Sequence, residues 1–198
     1  STGQEEISLS SLSSSDYSHL EELVEDQAQN LRHSNQAVVD ALSSIIEFRS
    51  AESGRHVLRL RRLTQILLED VARSCPEYGL TEREIRSISS AAALHDIGKI
   101  AIPDAILNKN QPLTPQEFEV MKTHTLSGSR MLENLSGAAD QDYLRYAYHI
   151  CRYHHERWDG RGYPEGLRGD QIPLCAQVVG LADAFDALTS DRAYKAAY

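Results

Sequence analysis

From Leu20 to Thr189 the apolar residues recur at helical intervals and nowhere alternate as a half-buried strand would. That regularity restricts the chain to an all-α architecture, a bundle whose helices bury one stripe each. Two stretches mark where helices begin. Thr81-x-x-Glu84 and Thr114-x-x-Glu117 are capping boxes, in which side chain and backbone amide at a helix start satisfy each other. Pro115 stands at the first helical position of the second box, where its missing N–H costs nothing. Helices are predicted over 55–73, 85–94, 117–133, 141–155 and 173–189. The segments 97–113 and 157–172, interrupted by proline and glycine, read as two irregular loops.

Ahead of these, Val24, Leu31, Val38 and Ile45 recur every seven residues, with Leu20, Ala41 and Phe48 on the adjoining seam. Gln27 and Ser34 interrupt that seam. The period predicts a coiled-coil-like connector helix over 19–46, able to pair with a second copy as a homodimer. Residues 1–18 are serine-rich and read as a flexible linker. Residues 47–198 remain for one domain, long enough to bury a core. A net charge of -9 argues against a DNA-binding role, which needs clustered lysine and arginine to displace counterions. No apolar run approaches the ~20 residues of a membrane span, and no basic-then-apolar leader opens the chain. The segment is therefore expected to be cytoplasmic. Cys75, Cys151 and Cys175, odd in number and widely spaced, read as reduced thiols.

The chemistry lies with the histidines. Residues 154–164 read His-His-Glu-Arg-Trp-Asp-Gly-Arg-Gly-Tyr-Pro, two imidazoles and a carboxylate running into a glycine-rich, proline-terminated loop. His95-Asp96 precedes Ile97-Gly98-Lys99 at a helix end. Glu52 and His56 are four apart and share a helix face, and Asp183 and Asp186 are three apart on the last helix. Imidazole and carboxylate together suit Mn, Fe or Zn. Each pair alone is weak, because a lone buried histidine is usually structural. The combination carries the case.

Taken together, His95-Asp96 with Gly98-Lys99, and His154-His155-Glu156 through Gly162-Tyr163-Pro164, resemble the HD-GYP subgroup of the HD phosphohydrolase superfamily. The resemblance covers roughly 47–198, taking in Leu113-Thr114 to His124, Gly166 to Pro173, and Asp183 to Lys195. It implies an HD-domain helical bundle with a metal site in its core. It implies as ligands Glu52, His56, His95, Asp96, His124, His154, His155 and Asp183, with Asp96 bridging two metals and Glu52 serving a third. Two or three divalent transition metals, Fe or Mn, are the cofactors implied. The substrate implied is cyclic di-GMP, opened to linear pGpG and cut further to GMP. A water activated between cations would attack phosphorus, with Lys99 as the fixed cation and Asp96 at the centre of the catalytic site. Tyr163, Arg192 and Lys195 are the substrate-binding candidates. His149 is read as structural, and His19 and His33 receive no role.

Relatives continue into further C-terminal helices, so the end at Tyr198 is read as a truncation. The connector helix resembles one that follows a receiver or sensor domain in response regulators. Two other readings compete: a catalytically silent interaction module, and a phosphohydrolase for another cyclic dinucleotide.

Overall fold

The computed structural model describes residues 14–50, 55–135 and 141–190. Glu52, Arg192 and Lys195 lie outside the described residues. Seven α-helices are present among those described: α1 Ser14–Arg49, α2 His56–Ser74, α3 Glu82–Ala91, α4 Asp104–Leu107, α5 Pro115–Glu133, α6 Gln141–Tyr153 and α7 Leu174–Thr189. None is long and apolar enough to cross a membrane. An isolated bridge between Asp159 and Arg168 is the extended pairing that accompanies them.

Both capping boxes form. Thr81 Oγ1 accepts from the Glu84 amide at 3.2 Å while Glu84 Oε2 accepts from the Thr81 amide at 2.9 Å. At α5, Thr114 Oγ1 accepts from the Glu117 amide at 3.2 Å and Glu117 Oε2 from the Thr114 amide at 2.7 Å. The segment 97–113 is more ordered than expected. It holds a 3-10 turn, Ile97–Ala101, and then α4, opened by Pro103. Arg49 explains the order. Its guanidinium donates to the carbonyls of Lys99, Ile100 and Ile102 at 3.0, 2.8 and 2.7 Å and pairs with Asp104, answering acceptors a short turn leaves open.

The chain divides into two compact units, 1–38 and 39–198. The last turns of α1 therefore belong with the domain: Ser43 donates to the Ala93 carbonyl at 2.8 Å, and buried Glu47 accepts from the Val57 amide, 2.8 Å away, at the start of α2. Within the first unit α1 exposes Val24 and Leu31 at 62% and 63%.

In the second unit α2 packs on α3 and α7, and α6 on α3, α5 and α7. Leu60, Leu68, Ile88, Ile150 and Val179 are fully buried or nearly so at their centre. Each such side chain contributes about 1.5–3 kcal/mol. The apolar stripes also carry the polar groups inward. On α6, Ala147, Ile150 and Cys151 are buried, and His154 follows one turn on at the same face. On α7, Val179 and Ala182 lead to Asp183 and buried Asp186. Cys151 and Cys175 are buried and Cys75 half-buried, all three as free thiols. Burial pushes the Cys175 thiol up to about 12, which makes it inert.

Candidate metal centre

Two groups of ligand atoms form where these stripes meet. Asp96, His124, His154 and His155 each offer one atom within 4.8 Å of the others, and so do His56, His95 and Asp183. All seven described ligand candidates are thus brought together, from the turn at 95–96, α2, α5, the end of α6 and α7. The two groups touch. His95 Nε2 lies 3.1 Å from Asp96 Oδ2, and the His95 ring centroid is 5.5 Å from His56 and 5.2 Å from His154. His149, His19 and His33 belong to neither group.

Close approach of backbones makes this possible. A Cβ on Gly98 would collide with the His124 carbonyl and the Gly128 amide, so only glycine lets the turn after Asp96 lie against α5. A Cβ on Gly180 would likewise strike the His154 carbonyl, where α7 passes the end of α6. Helix α6 itself stops at Tyr153, two residues sooner than predicted, although the His154 amide still donates to Ile150 at 3.0 Å. The chain then turns, and His154 and His155 project side by side with ring centroids 4.0 Å apart.

The imidazoles are held in one tautomer by what their outer nitrogens meet. Nδ1 of His95 faces the Ala92 carbonyl at 3.0 Å, that of His124 the Met121 carbonyl at 2.8 Å, and that of His154 the Ile150 carbonyl at 2.9 Å. A carbonyl can only accept, so these Nδ1 atoms carry protons and Nε2 points inward. His56 is held differently, its Nδ1 donating to Asp186 Oδ2 at 2.7 Å. Arg59 grips the same carboxylate through two nitrogens. Asp186 is buried, which opposes its charge, yet Arg59 and His56 bring its carboxyl down to about 2.

The inward atoms lack partners. Asp96 Oδ1 and Nε2 of His95, His124 and His154 are buried and make no hydrogen bond within the protein. Asp96 Oδ1 faces His124 Nε2 at 3.3 Å and His154 Nε2 at 3.8 Å. Neutral imidazoles present lone pairs there, so acceptor faces acceptor, an arrangement that costs free energy unless a cation stands among them. Their proton affinities agree. Burial, then His95, lowers His154 to about 3; burial lowers His124 and His155 too. Asp96 stays ionised against its burial, chiefly through Lys99, whose Nζ is 2.7 Å from Oδ2. Burial opposes a charged His95, but Asp96 outweighs it and raises the imidazole to about 9. Asp96, His124, His154 and His155, neutral or anionic and with no protons between them, suit a divalent transition metal.

The loop after the histidines is fastened by Glu156. Its carboxylate accepts from the amides of Glu165, Gly166 and Leu167 at 2.7, 3.0 and 2.9 Å, and so serves the loop rather than the ligand groups. A Cβ on Gly162 would strike the backbone of residues 155–157, so the loop doubles back tightly there. Tyr163 then stacks on His155, centroids 4.7 Å apart. Asp186 and Glu156 stand in the motif runs but received no role there, and Arg59 was not singled out. A carboxylate one turn after Asp183 was the available signal for the first, but its partners His56 and Arg59 lie 130 and 127 residues away.

The HD domain family profile matches residues 19–198. A probable cyclic di-GMP phosphodiesterase of Vibrio cholerae is 43% identical over 189 residues, covering 93% of this chain and 42% of that protein. A cyclic di-GMP phosphodiesterase of Thermotoga maritima is 43% identical over 158 residues, 80% of this chain and 40% of that protein. A 3'3'-cGAMP-specific phosphodiesterase of Vibrio cholerae is 39% identical over 166 residues, 84% of this chain and 30% of that protein. The chain spans less than half the length of these relatives. With seven described ligand candidates gathered and the His154–Pro164 run built around them, the chain belongs to the HD domain family, in its HD-GYP subgroup.

Proposed function

We propose that this chain is the catalytic part of a metal-dependent phosphodiesterase that hydrolyses cyclic di-GMP to pGpG and on to GMP, as a hydrolase of second-messenger signalling. The observation that carries the reading is the set of buried, unpartnered ligand atoms on His95, Asp96, His124 and His154. The printed activities of the relatives support the substrate class. Asp96, His124, His154 and His155 would hold one cation and His56, His95 and Asp183 another, with Asp96 between them. Iron or manganese is the metal we assign. Glu52 is retained as the candidate ligand for a third. Divalent cations in these sites supply an activated water near neutral pH and Lewis-acid polarisation of the phosphoryl group.

The chain's own residues do the rest. Asp96 holds the two ligand groups in one frame, and Lys99 at its side is the fixed cation assigned to phosphoryl charge. Lys99 and Asp96 are both largely withdrawn from solvent, at 14% and 16% side-chain exposure, which strengthens that attraction. Tyr163, Arg192 and Lys195 are assigned to the nucleotide. Elution of metal, reloading with Mn or Fe, and incubation with cyclic di-GMP tests the reading: linear product only in the loaded protein is expected. Since one relative is named for 3'3'-cGAMP, that dinucleotide is the competing substrate to run beside it.

The exposed seam of α1 further supports a homodimer through that helix, working in the cytoplasm beneath a receiver or sensor domain. Because Ser43, Glu47 and Arg49 serve the domain, the dimer is best tested by Val24→Glu with Leu31→Glu rather than by removing the helix. Light scattering should then give half the mass; an unchanged mass contradicts the pairing.

A further inference from the structure

Beside the ligand groups, α5 presents Phe118, 43% exposed on a helix face where a polar residue would be cheaper. Its ring meets the Tyr163 ring edge-to-face, centroids 6.1 Å apart. Lys122, one turn along α5, holds its Nζ 5.1 Å from the Phe118 centroid and 5.7 Å from the Tyr163 centroid. Glu119 tethers that ammonium at 2.6 Å. Tyr163 stacks on His155 and stands 6.4 Å from His124, so the assembly begins at the ligands and runs outward to Phe118. One face of Tyr163 is thus committed to His155. Phe118 is the aromatic with open surface to offer.

We infer that Phe118 and Lys122 form a purine subsite for the cyclic dinucleotide, Phe118 stacking on a base and Lys122 meeting the adjoining phosphate. The inference rests on the phosphodiesterase reading and moves base recognition from Tyr163 to α5. An aromatic ring serves any base, because every base has a π-face, and the Lys122 ammonium over the Phe118 ring adds attraction for the anionic backbone. The subsite therefore confers affinity for a dinucleotide without choosing between guanine and adenine.

Steady-state kinetics of the metal-loaded protein with cyclic di-GMP test it. Phe118→Ala should raise KM roughly tenfold, as loss of base–aromatic stacking does, with kcat and metal content unchanged. Phe118→Trp should restore KM. Lys122→Met should raise KM and flatten its dependence on salt. An unchanged KM in Phe118→Ala, in a protein that turns the substrate over, overturns the subsite and leaves the phosphodiesterase reading standing. Loss of metal from that variant also overturns it, by making Phe118 a packing residue of the centre. No turnover by the unsubstituted, metal-loaded protein removes both readings together.

Discussion

The two ligand groups differ in how their histidines are steadied. In the group of Asp96, His124, His154 and His155, the rings of His124 and His154 are fixed by carbonyls of their own helical turns. In the group of His56, His95 and Asp183, His95 is likewise held by a carbonyl, that of Ala92, but His56 is fixed by a side chain, Asp186, which Arg59 holds in turn. A backbone carbonyl cannot be changed without unfolding the helix. A carboxylate can be substituted, neutralised or displaced. His124 and His154 are therefore steadied by the bundle itself, while His56 is tunable, its basicity as a ligand depending on an ion pair across α2 and α7. Asp96 and His95 stand where the two regimes meet.

That contrast can be broken at several points. Removing the shared carboxylate should have the largest effect: Asp96→Ala is expected to lose metal from both groups and all turnover, measured by elemental analysis and product assay. Retained turnover would refute a shared centre. Lys99→Met, assayed at full metal occupancy, should lose roughly 10²- to 10³-fold in kcat, the scale of one lost charge-stabilising donor. Asp186→Asn should act on one side only. Metal affinity at the His56 group should fall by about 10–100-fold, as for other partners of ligating histidines, while the Asp96 group keeps its metal. Equal loss from both would show that the groups are not separately steadied.

The architecture was legible because its signals are local. Thr81, Thr114 and Pro115 set helix starts through bonds within three residues, and both boxes form as read. The candidate ligand histidines were legible only in combination, because a single imidazole on an apolar stripe looks like packing until its companions are counted. Arg49 was illegible for a different reason. Its acceptors are carbonyls at 99–102, which no side-chain pattern reveals, and so the order of that loop was missed. Asp186 was seen as a helix acid but not as an anchor, since its partners come from α2. Glu156 sits beside two candidate ligands and differs from them by what it faces, three loop amides. Sequence spacing places a side chain on a face; it does not say what lies opposite.

The smallest expected effect concerns the rigid side. Helix α5, which carries His124, is fastened at its start by Glu117, held by Lys109 and the Thr114 amide down at about 2 from its ordinary 4.5. A depressed carboxyl contributes stability above its ordinary value and loses it as pH falls through the depressed one. Melting temperatures followed from pH 5 to pH 2 should thus fall less steeply in Glu117→Gln than in the unsubstituted protein. Parallel curves would mean the contact contributes nothing.

If the paired groups form one hydrolytic centre for a cyclic dinucleotide, that centre declares itself in its product. The most direct measurement is product analysis by chromatography, with the protein fully loaded with Mn or Fe and supplied with cyclic di-GMP. Linear pGpG or GMP is expected, abolished by chelation and by Asp96→Ala. Intact cyclic di-GMP at full metal occupancy would contradict it.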